Sequence, residues 1–160
     1  MIDTTQIRLP IQEENILILS DPADARDVIV RLSNLLEQRG DVKPTFVEAV
    51  WEREQNMPTG LELEGEIHAA IPHAEVEHVI NPTVGLAILE YPVTFKCMVE
   101  PDKDLDVRLV FLLAMNEPKK QIEMLQQVAM ILQNPELVQR LSAASSTKEV
   151  MELIGKIDST

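Results

Sequence analysis

The sequence is poor in the residues that most often signal a special environment. It has one cysteine, Cys97, so no intramolecular disulfide can form and nothing requires an oxidising compartment. Aromatic residues make up only 3% of the 160 residues, so the core must be built from Leu, Ile, Val, Ala and Met. Cys97 lies in an apolar stretch with Phe95 and Met98, and we expect it to be a small buried side chain.

Long apolar runs and basic clusters are also missing. No stretch approaches the ~18 apolar residues of a membrane span, and residues 1–10 lack the basic start and apolar run of a signal peptide. Lysine and arginine number 14 against 27 acidic residues, which leaves a formal net charge of −13. Nucleic acid and anionic lipid bind through clustered basic side chains. We therefore expect a cytoplasmic protein with no nucleic-acid partner and no membrane insertion.

The composition is that of an ordinary globular chain, with 45% apolar and 26% charged residues. A chain of this length suits one domain and can bury roughly 70% of the surface that its unfolded form exposes. We see no internal repeat, low-complexity tract or linker. A single domain over residues 1–160 is expected, with its core over about residues 13–155.

Hydrophobic periodicity predicts a strand and two helices in the first third of the chain. The strand covers residues 14–19. The first helix should start with Asp21 as N-cap and Pro22 at the first helical position, and Gly40 should close it. The second helix follows directly and should end near Asn56.

The remaining two thirds predict four strands and then helices. Prolines punctuate the strands, and the run at 109–114 (LVFLLA) lacks polar alternation, as expected for a central strand covered on both faces. These features predict the α/β class, with one mixed β-sheet flanked by helices. The predicted strands are 67–71, 83–89, 93–98 and 107–115, and the helices begin after Asn116, at Asn134 and at Ser146.

Three histidines, His68, His73 and His78, lie in one window at intervals of five residues. Residues five apart match one face of a helix poorly, and on a strand they alternate between the two faces. The sequence also lacks H-E-x-x-H and paired cysteines. We therefore expect no metal and no cofactor. Glu75 and Glu77 could add carboxylate ligands, so a metal- or ligand-binding domain that uses the three histidines stays an alternative hypothesis. His68 is expected to be a strand residue with a local hydrogen bond.

An aspartate series, Asp102, Asp104 and Asp106, has the opening spacing of a calcium loop. The sixth position is Val107 and the twelfth is Leu113, so the glycine and the bidentate glutamate of that loop are missing. A solvated turn before a strand is the expected structure.

His73 differs from the other two histidines because it follows Pro72 at the end of an apolar strand. Proline restricts the backbone there, and the ends of strands in open α/β sheets often carry reactive side chains. Such a histidine, taken alone, is more often a solvated turn residue. Whether His73 is a reactive residue or a solvated turn residue therefore has to be judged from the residues around it.

Three spaced motifs surround this position: Glu52-Arg53-Glu54, then Met57-Pro58-Thr59-Gly60, then residues 68–75 (HAAIPHAE). Their order closely resembles the enzyme IIA family of the phosphoenolpyruvate-dependent sugar phosphotransferase system, of the fructose and mannitol type. The PTGLE and PHAEVEH stretches are most similar to the galactitol-type branch. The resemblance covers roughly residues 13–154.

The resemblance implies that His73 is the phosphorylated histidine. Arg53 matches an arginine held near the site, Thr59 matches a threonine near the phosphoryl group, and His78 matches a histidine of the galactitol-type branch. The mannitol type has a second histidine after the last central strand, where this chain has residues 117–121 (EPKKQ). That supporting role must be absent here or supplied by His78 or a lysine.

Each supporting residue also has a plain structural interpretation. Arg53 could pair with a carboxylate on its own helix, such as Glu48 or Glu52. Thr59 could merely end a turn, and His78 could be an ordinary solvated residue. These alternatives stay open at the level of sequence.

An imidazole suits phosphoryl transfer because much of it is uncharged, and therefore nucleophilic, near neutral pH. The resemblance implies a phosphocarrier that accepts a phosphoryl group from the phosphocarrier protein HPr and passes it to a IIB component for sugar uptake. Glu75 and Glu77 are candidates for the acidic rim of the docking face, which would suit a basic donor. The alternative is a regulatory protein of the same fold, in which phosphorylation of His73 controls binding to other proteins.

Overall fold

The structure, a computed structural model, describes residues 9–155. A 3-10 turn at Val76–His78 follows the third strand, and a π-helical turn at Met151–Gly155 ends the last helix. No helix within the described range is long and apolar enough to cross a membrane. The elements in chain order are β1 (Ile11–Leu19), α1 (Ala25–Gln38), α2 (Phe46–Asn56), β2 (Gly60–Leu61), β3 (His68–Ala70), β4 (Thr83–Lys96), β5 (Asp104–Ala114), α3 (Pro118–Leu132), α4 (Pro135–Ser142) and α5 (Thr147–Val150).

The five strands form one mixed sheet in the order β1-β4-β5-β3-β2. β1 runs parallel to β4 and β3 runs parallel to β5, whereas the β4–β5 and β2–β3 pairs are antiparallel. The carboxyl ends of β3 and β5 therefore meet at the same edge of the sheet, beside the amino end of β4. This topology brings the residues that follow β3 close to those that follow β5.

Both faces of the sheet are buried. Along β5, Phe111 and Leu113 pack in one apolar cluster with α3, α4 and α5, whereas Val110 and Leu112 pack in the other with α1 and α2. A strand that is covered on both faces has no polar alternation, which confirms the prediction for the run at 109–114. The α/β class with a mixed sheet flanked by helices is confirmed, and Cys97 is buried as expected.

The prediction of two separate strands at 83–89 and 93–98 was wrong. The structure has one long strand, β4, in which the pairing with β5 shifts register between Ile88 and Val93. Pro92 lies within this irregularity, where the missing N–H of a proline is tolerated. A proline that looks like a strand boundary in the sequence therefore marks a bulge.

Two other boundaries also differ from the prediction. Helix α1 is capped by Asp24, whose Oδ1 accepts from the Asp27 amide at 2.9 Å, whereas Asp21 pairs with Arg31 at 3.5 Å. The predicted cap at Asp21 was thus three residues early. Gly40 closes the helix as predicted, with a φ of +79° in the left-handed region that favours glycine. Strand β5 begins at Asp104, before the predicted start at residue 107. Asp104 and Asp106 therefore lie in the strand and not in the expected turn.

The backbone at the end of β4 closely approaches Gly60. Gly60 lies opposite Ala70 in the β2–β3 pair, and on its other side it pairs with Cys97 and its carbonyl accepts from the Met98 amide at 2.8 Å. A Cβ at this position would lie 2.4 Å from the carbonyl oxygen of Lys96, which is backbone and cannot move aside cheaply.

Gly60→Ala is therefore expected to lower the free energy of unfolding by about 1–3 kcal/mol, the usual cost of overpacking. Chemical denaturation measures this loss. Gly85→Ala is the matched control, because its new Cβ would meet a Leu32 methyl at an ordinary 3.4 Å. Equal stability of the two variants would contradict the steric account.

Candidate functional site

His73 is held at the sheet edge by backbone pairing with β5. The Leu113 amide donates to the Pro72 carbonyl at 3.1 Å, so the chain stays in register with β5 beyond the end of β3. The His73 side chain is 7% exposed, and its Nδ1 lies 2.8 Å from the carbonyl oxygen of Ile71. The imidazole is therefore buried and is fixed by the chain two residues before it.

This contact determines the tautomer of the ring. A carbonyl oxygen can only accept a hydrogen bond, so the hydrogen between the two atoms must belong to Nδ1. In a neutral imidazole the other nitrogen, Nε2, then carries a lone pair. The contact thus leaves Nε2 of His73 as the ring nitrogen with a free lone pair.

Burial also sets the charge of the imidazole. Loss of water around the ring lowers the pKa of His73, and the nearby positive charge of Arg53 lowers it further, whereas the bond to Ile71 and the charge of Glu75 oppose the shift. The net effect is a pKa below the ordinary value of a histidine. The neutral, nucleophilic form is therefore favoured at neutral pH.

Arg53 is the cation of this site. Its Nη1 lies 3.1 Å from Oε1 of Glu75, across the loop that follows His73, rather than pairing with the carboxylates of its own helix. Glu48, one of those carboxylates, pairs with Arg26 at 3.5 Å instead. The Nε of Arg53 is buried and has no hydrogen-bond partner among the described residues. The Nε–H of Arg53 is therefore a donor that no group in residues 9–155 uses.

Thr59 is buried and fully occupied by protein partners. Its amide and its hydroxyl donate to the two carboxylate oxygens of Glu54, at 2.9 and 2.7 Å, and its Oγ1 accepts from the Ile71 amide at 3.2 Å. The hydroxyl is thus bonded within the protein instead of being free to donate to a bound group. Thr59 joins helix α2 to the strand that leads to His73.

Glu54 is the buried residue of this site that the sequence analysis did not single out, although it stands in the quoted Arg-Glu motif. It lies on the buried face of α2 with Phe46 and Val50, at intervals of four residues, and is 6% exposed. A carboxylate on the apolar face of a helix needs partners, because burying an unpaired charge is costly. That periodicity was the signal available in the sequence.

Burial raises the pKa of Glu54 to about 7, although the hydrogen bonds from Thr59 and the charge of Arg53 act in the opposite direction. The carboxyl group can therefore exist in both its protonated and its ionised form near neutral pH. Groups with strongly shifted pKa values tend to lie at functional sites.

The other two histidines have different surroundings. Nδ1 of His78 lies 2.8 Å from the Thr45 hydroxyl, and no hydrogen bond joins His78 to His73 within the described residues. Nδ1 of His68 accepts from the Leu63 amide at 3.0 Å, which is the local hydrogen bond expected for that residue. No group of three or more His, Cys, Asp or Glu side chains between residues 9 and 155 is arranged to hold a metal ion.

The segment after β5, where the mannitol type has its second histidine, lies at the same sheet edge. The Asn116 side-chain amide donates to the Ile80 carbonyl at 3.3 Å, and Lys120 pairs with Glu117 at 3.1 Å at the start of α3. This part of the edge is therefore stabilised by an amide and a surface ion pair.

The chain belongs to the family described as phosphoenolpyruvate-dependent sugar phosphotransferase system, EIIA 2, whose family model matches residues 10–157. Membership implies phosphotransfer between components of that system. A similar curated protein is the galactitol-specific EIIA component of Escherichia coli K12, which is 32% identical over 126 residues, 78% of this chain and 82% of that protein.

Solved structures agree with this family. The solution structure of the mannitol-specific cryptic phosphotransferase enzyme IIA of Escherichia coli has a TM-score of 0.75 at 21% identity, covering 94% of this chain and 97% of that one. Enzyme IIA of the mannitol system of the same organism, solved in complex with phosphorylated enzyme IIB, has a TM-score of 0.72 at 28% identity, covering 91% and 99%. The resemblance to the fructose and mannitol type, with its galactitol-type branch, is thereby confirmed.

The opposing charges around His73 lead to a prediction about its pKa. Glu75→Gln removes a negative charge that favours the imidazolium ion, so the pKa of His73 should fall further. Arg53→Gln removes a positive charge and should raise it. An NMR titration of the His73 ring protons measures both shifts, with Glu77→Gln as the control in the same loop. Shifts of the same sign in the first two variants would refute the assignment of charges.

Proposed function

We propose that this protein is a phosphocarrier, in which His73 accepts a phosphoryl group from phosphorylated HPr and passes it to a IIB component for sugar uptake. The observation that carries the proposal is the hydrogen bond from Nδ1 of His73 to the Ile71 carbonyl, because it leaves Nε2 of a buried imidazole as the nucleophile. The cytoplasm, where we expect these partners, is part of the proposal.

Phosphoryl transfer to His73 needs no general base, because Nε2 is already unprotonated. Nε2 of His73 attacks the phosphorus, a bond forms between these two atoms, and the N–P bond to the donor imidazole breaks with its electron pair returning to the donor. The Nδ1 hydrogen stays in place, so the phosphorylated ring carries a positive charge. The Ile71 carbonyl then accepts a charge-assisted hydrogen bond, which is stronger than a neutral one.

The phosphoryl group needs donors for the negative charge that spreads over its oxygens in the transition state. Arg53 is the proposed donor, because its guanidinium affects the pKa of His73 and its Nε has no partner within the described residues. The Thr59 hydroxyl already donates to Glu54, so we propose that Thr59 supports the site through its protein contacts and does not bind the phosphoryl group. We keep His78 as a proposed supporting residue whose ring is oriented by Thr45.

The surface around His73 fits the proposed partners. Ile80 and Ile122 are about half exposed, at 49% and 58%, on the segments that lead away from this edge of the sheet. Glu75, two residues after His73, has a side chain that is 67% exposed. Apolar side chains with an acidic rim would suit a basic donor and acceptor, because opposite charges steer association.

The proposal predicts that wild-type protein gains one acid-labile phosphoryl group when incubated with phosphoenolpyruvate, enzyme I and HPr. Intact mass measures the gain, and His73→Ala should abolish it, while His68→Ala should not. Transfer onward to a IIB component then separates a carrier from a regulator of the same fold. A folded wild type that gains no phosphoryl group would refute the proposal.

Arg53→Gln should lower the rate of phosphoryl transfer by about 100-fold or more, as the loss of one donor to a transition-state oxyanion usually does. Rapid-quench measurement of phosphorylated protein gives the rate. Arg26→Gln is the control, because it also breaks a pair between an arginine and a glutamate, on the surface of α1 and α2. A normal rate in Arg53→Gln would remove Arg53 from the mechanism.

A further inference from the structure

Hydrogen bonds on both sides of the Ile71 backbone connect the buried carboxylate of Glu54 to the ring of His73. Both oxygens of Glu54 accept from Thr59, one from its amide and one from its hydroxyl. Oγ1 of Thr59 accepts from the Ile71 amide, and the carbonyl of Ile71 accepts from Nδ1 of His73 at 2.8 Å. Thr59 and His73 thus bond to the amide and the carbonyl of one residue.

Ile71 depends on Thr59 because its backbone is held differently on the side of β5 and on the side of β2. On the β5 side the first contact beyond β3 comes from the Leu113 amide, which reaches Pro72 rather than Ile71. On the β2 side, the Ile71 amide is shared between Oγ1 of Thr59 at 3.2 Å and the Thr59 carbonyl at 3.3 Å. Thr59 is therefore the residue that sets the position of Ile71.

A buried carboxylate is an expensive way to hold a threonine in place. Glu54 shares the apolar face of α2 with Phe46 and Val50, where an aliphatic side chain would avoid the cost of burying an ionisable group. Departures from the expected pattern of polar and apolar residues tend to occur at functional sites. The carboxylate is also the side chain that can accept from the amide and the hydroxyl of Thr59 through two equivalent oxygens.

We propose that Glu54 and Thr59 are positioning residues that act through Ile71 to hold His73 in the tautomer with a free Nε2. Neither residue touches the phosphoryl group in this account. Glu54 fixes Thr59, Thr59 fixes Ile71, and the Ile71 carbonyl keeps the hydrogen on Nδ1. The inference rests on the proposed function for its kinetic consequence, whereas the tautomer can be measured without any phosphoryl donor.

The test uses three variants of the full chain. Glu54→Gln leaves one acceptor oxygen in place of two, Thr59→Val removes the hydroxyl while keeping the shape, and Thr59→Ser restores the hydroxyl. Thr83→Val is the matched control, because it deletes a buried threonine hydroxyl that bonds to Asn15 at 3.0 Å and has no bond to His73. Circular dichroism and thermal unfolding establish which variants are folded.

The first readout is the pair of 15N chemical shifts of the His73 ring. In wild type and in Thr83→Val we expect a protonated Nδ1 and an unprotonated Nε2. In Glu54→Gln and Thr59→Val the two shifts should move toward each other, because both tautomers become populated, and Thr59→Ser should return them to wild-type values. Wild-type shifts in folded Glu54→Gln and Thr59→Val would overturn the proposal.

The second readout is the kinetics of phosphorylation by phosphorylated HPr. Loss of a residue that orients a metal-binding histidine typically costs about 10- to 100-fold in affinity or activity. We expect a fall of the same order in kcat here, with little change in KM. If Glu54→Gln does not fold, Thr59→Val and its serine counterpart decide the question. A wild type that shows the expected tautomer but takes no phosphoryl group would contradict the proposed function and leave this inference standing.

Discussion

The site depends on one constraint: a buried imidazole has to satisfy its N–H, and the acceptor that it uses is the carbonyl two residues earlier in its own chain. That carbonyl is in place because β3 pairs with β5 and because Thr59 holds the amide of the same residue. The sheet order, the Pro-His turn and the buried side of α2 all converge on this bond. A short local contact thus links the geometry of the fold to the nitrogen that we propose as the nucleophile.

Burial has the same electrostatic consequence for both titratable groups of this network. It raises the pKa of Glu54 and lowers the pKa of His73, so it favours the uncharged form of each. Arg53 keeps its charge and is balanced by Glu75 on the exposed side. The Arg53–Glu75 ion pair and the neutral imidazole leave little net charge beside His73, which suits the proposed transfer of an anionic phosphoryl group.

Much of this fold could be predicted from hydrophobic periodicity, because helices such as α2 and the doubly covered β5 have strong patterns over many residues. The two-residue strand β2 was missed because it is too short to have a period. Pro92 was misinterpreted since a bulge in a paired strand depends on the partner strand, which local sequence does not contain. The sequence motif singles out His73 as a candidate, whereas the contacts of Glu54 could not be predicted without knowing that Thr59 folds back onto it.

The pairing of Gly60 with Cys97 has a consequence for solubility and assembly. β2 is the last strand in the sheet order, and such a strand usually presents unpaired amides and carbonyls to which another chain could add. Here the residues that directly follow β4 bond the outer side of Gly60, through the Met98 amide. The protein thus covers part of this edge with its own backbone, which protects it against strand addition by a neighbouring molecule.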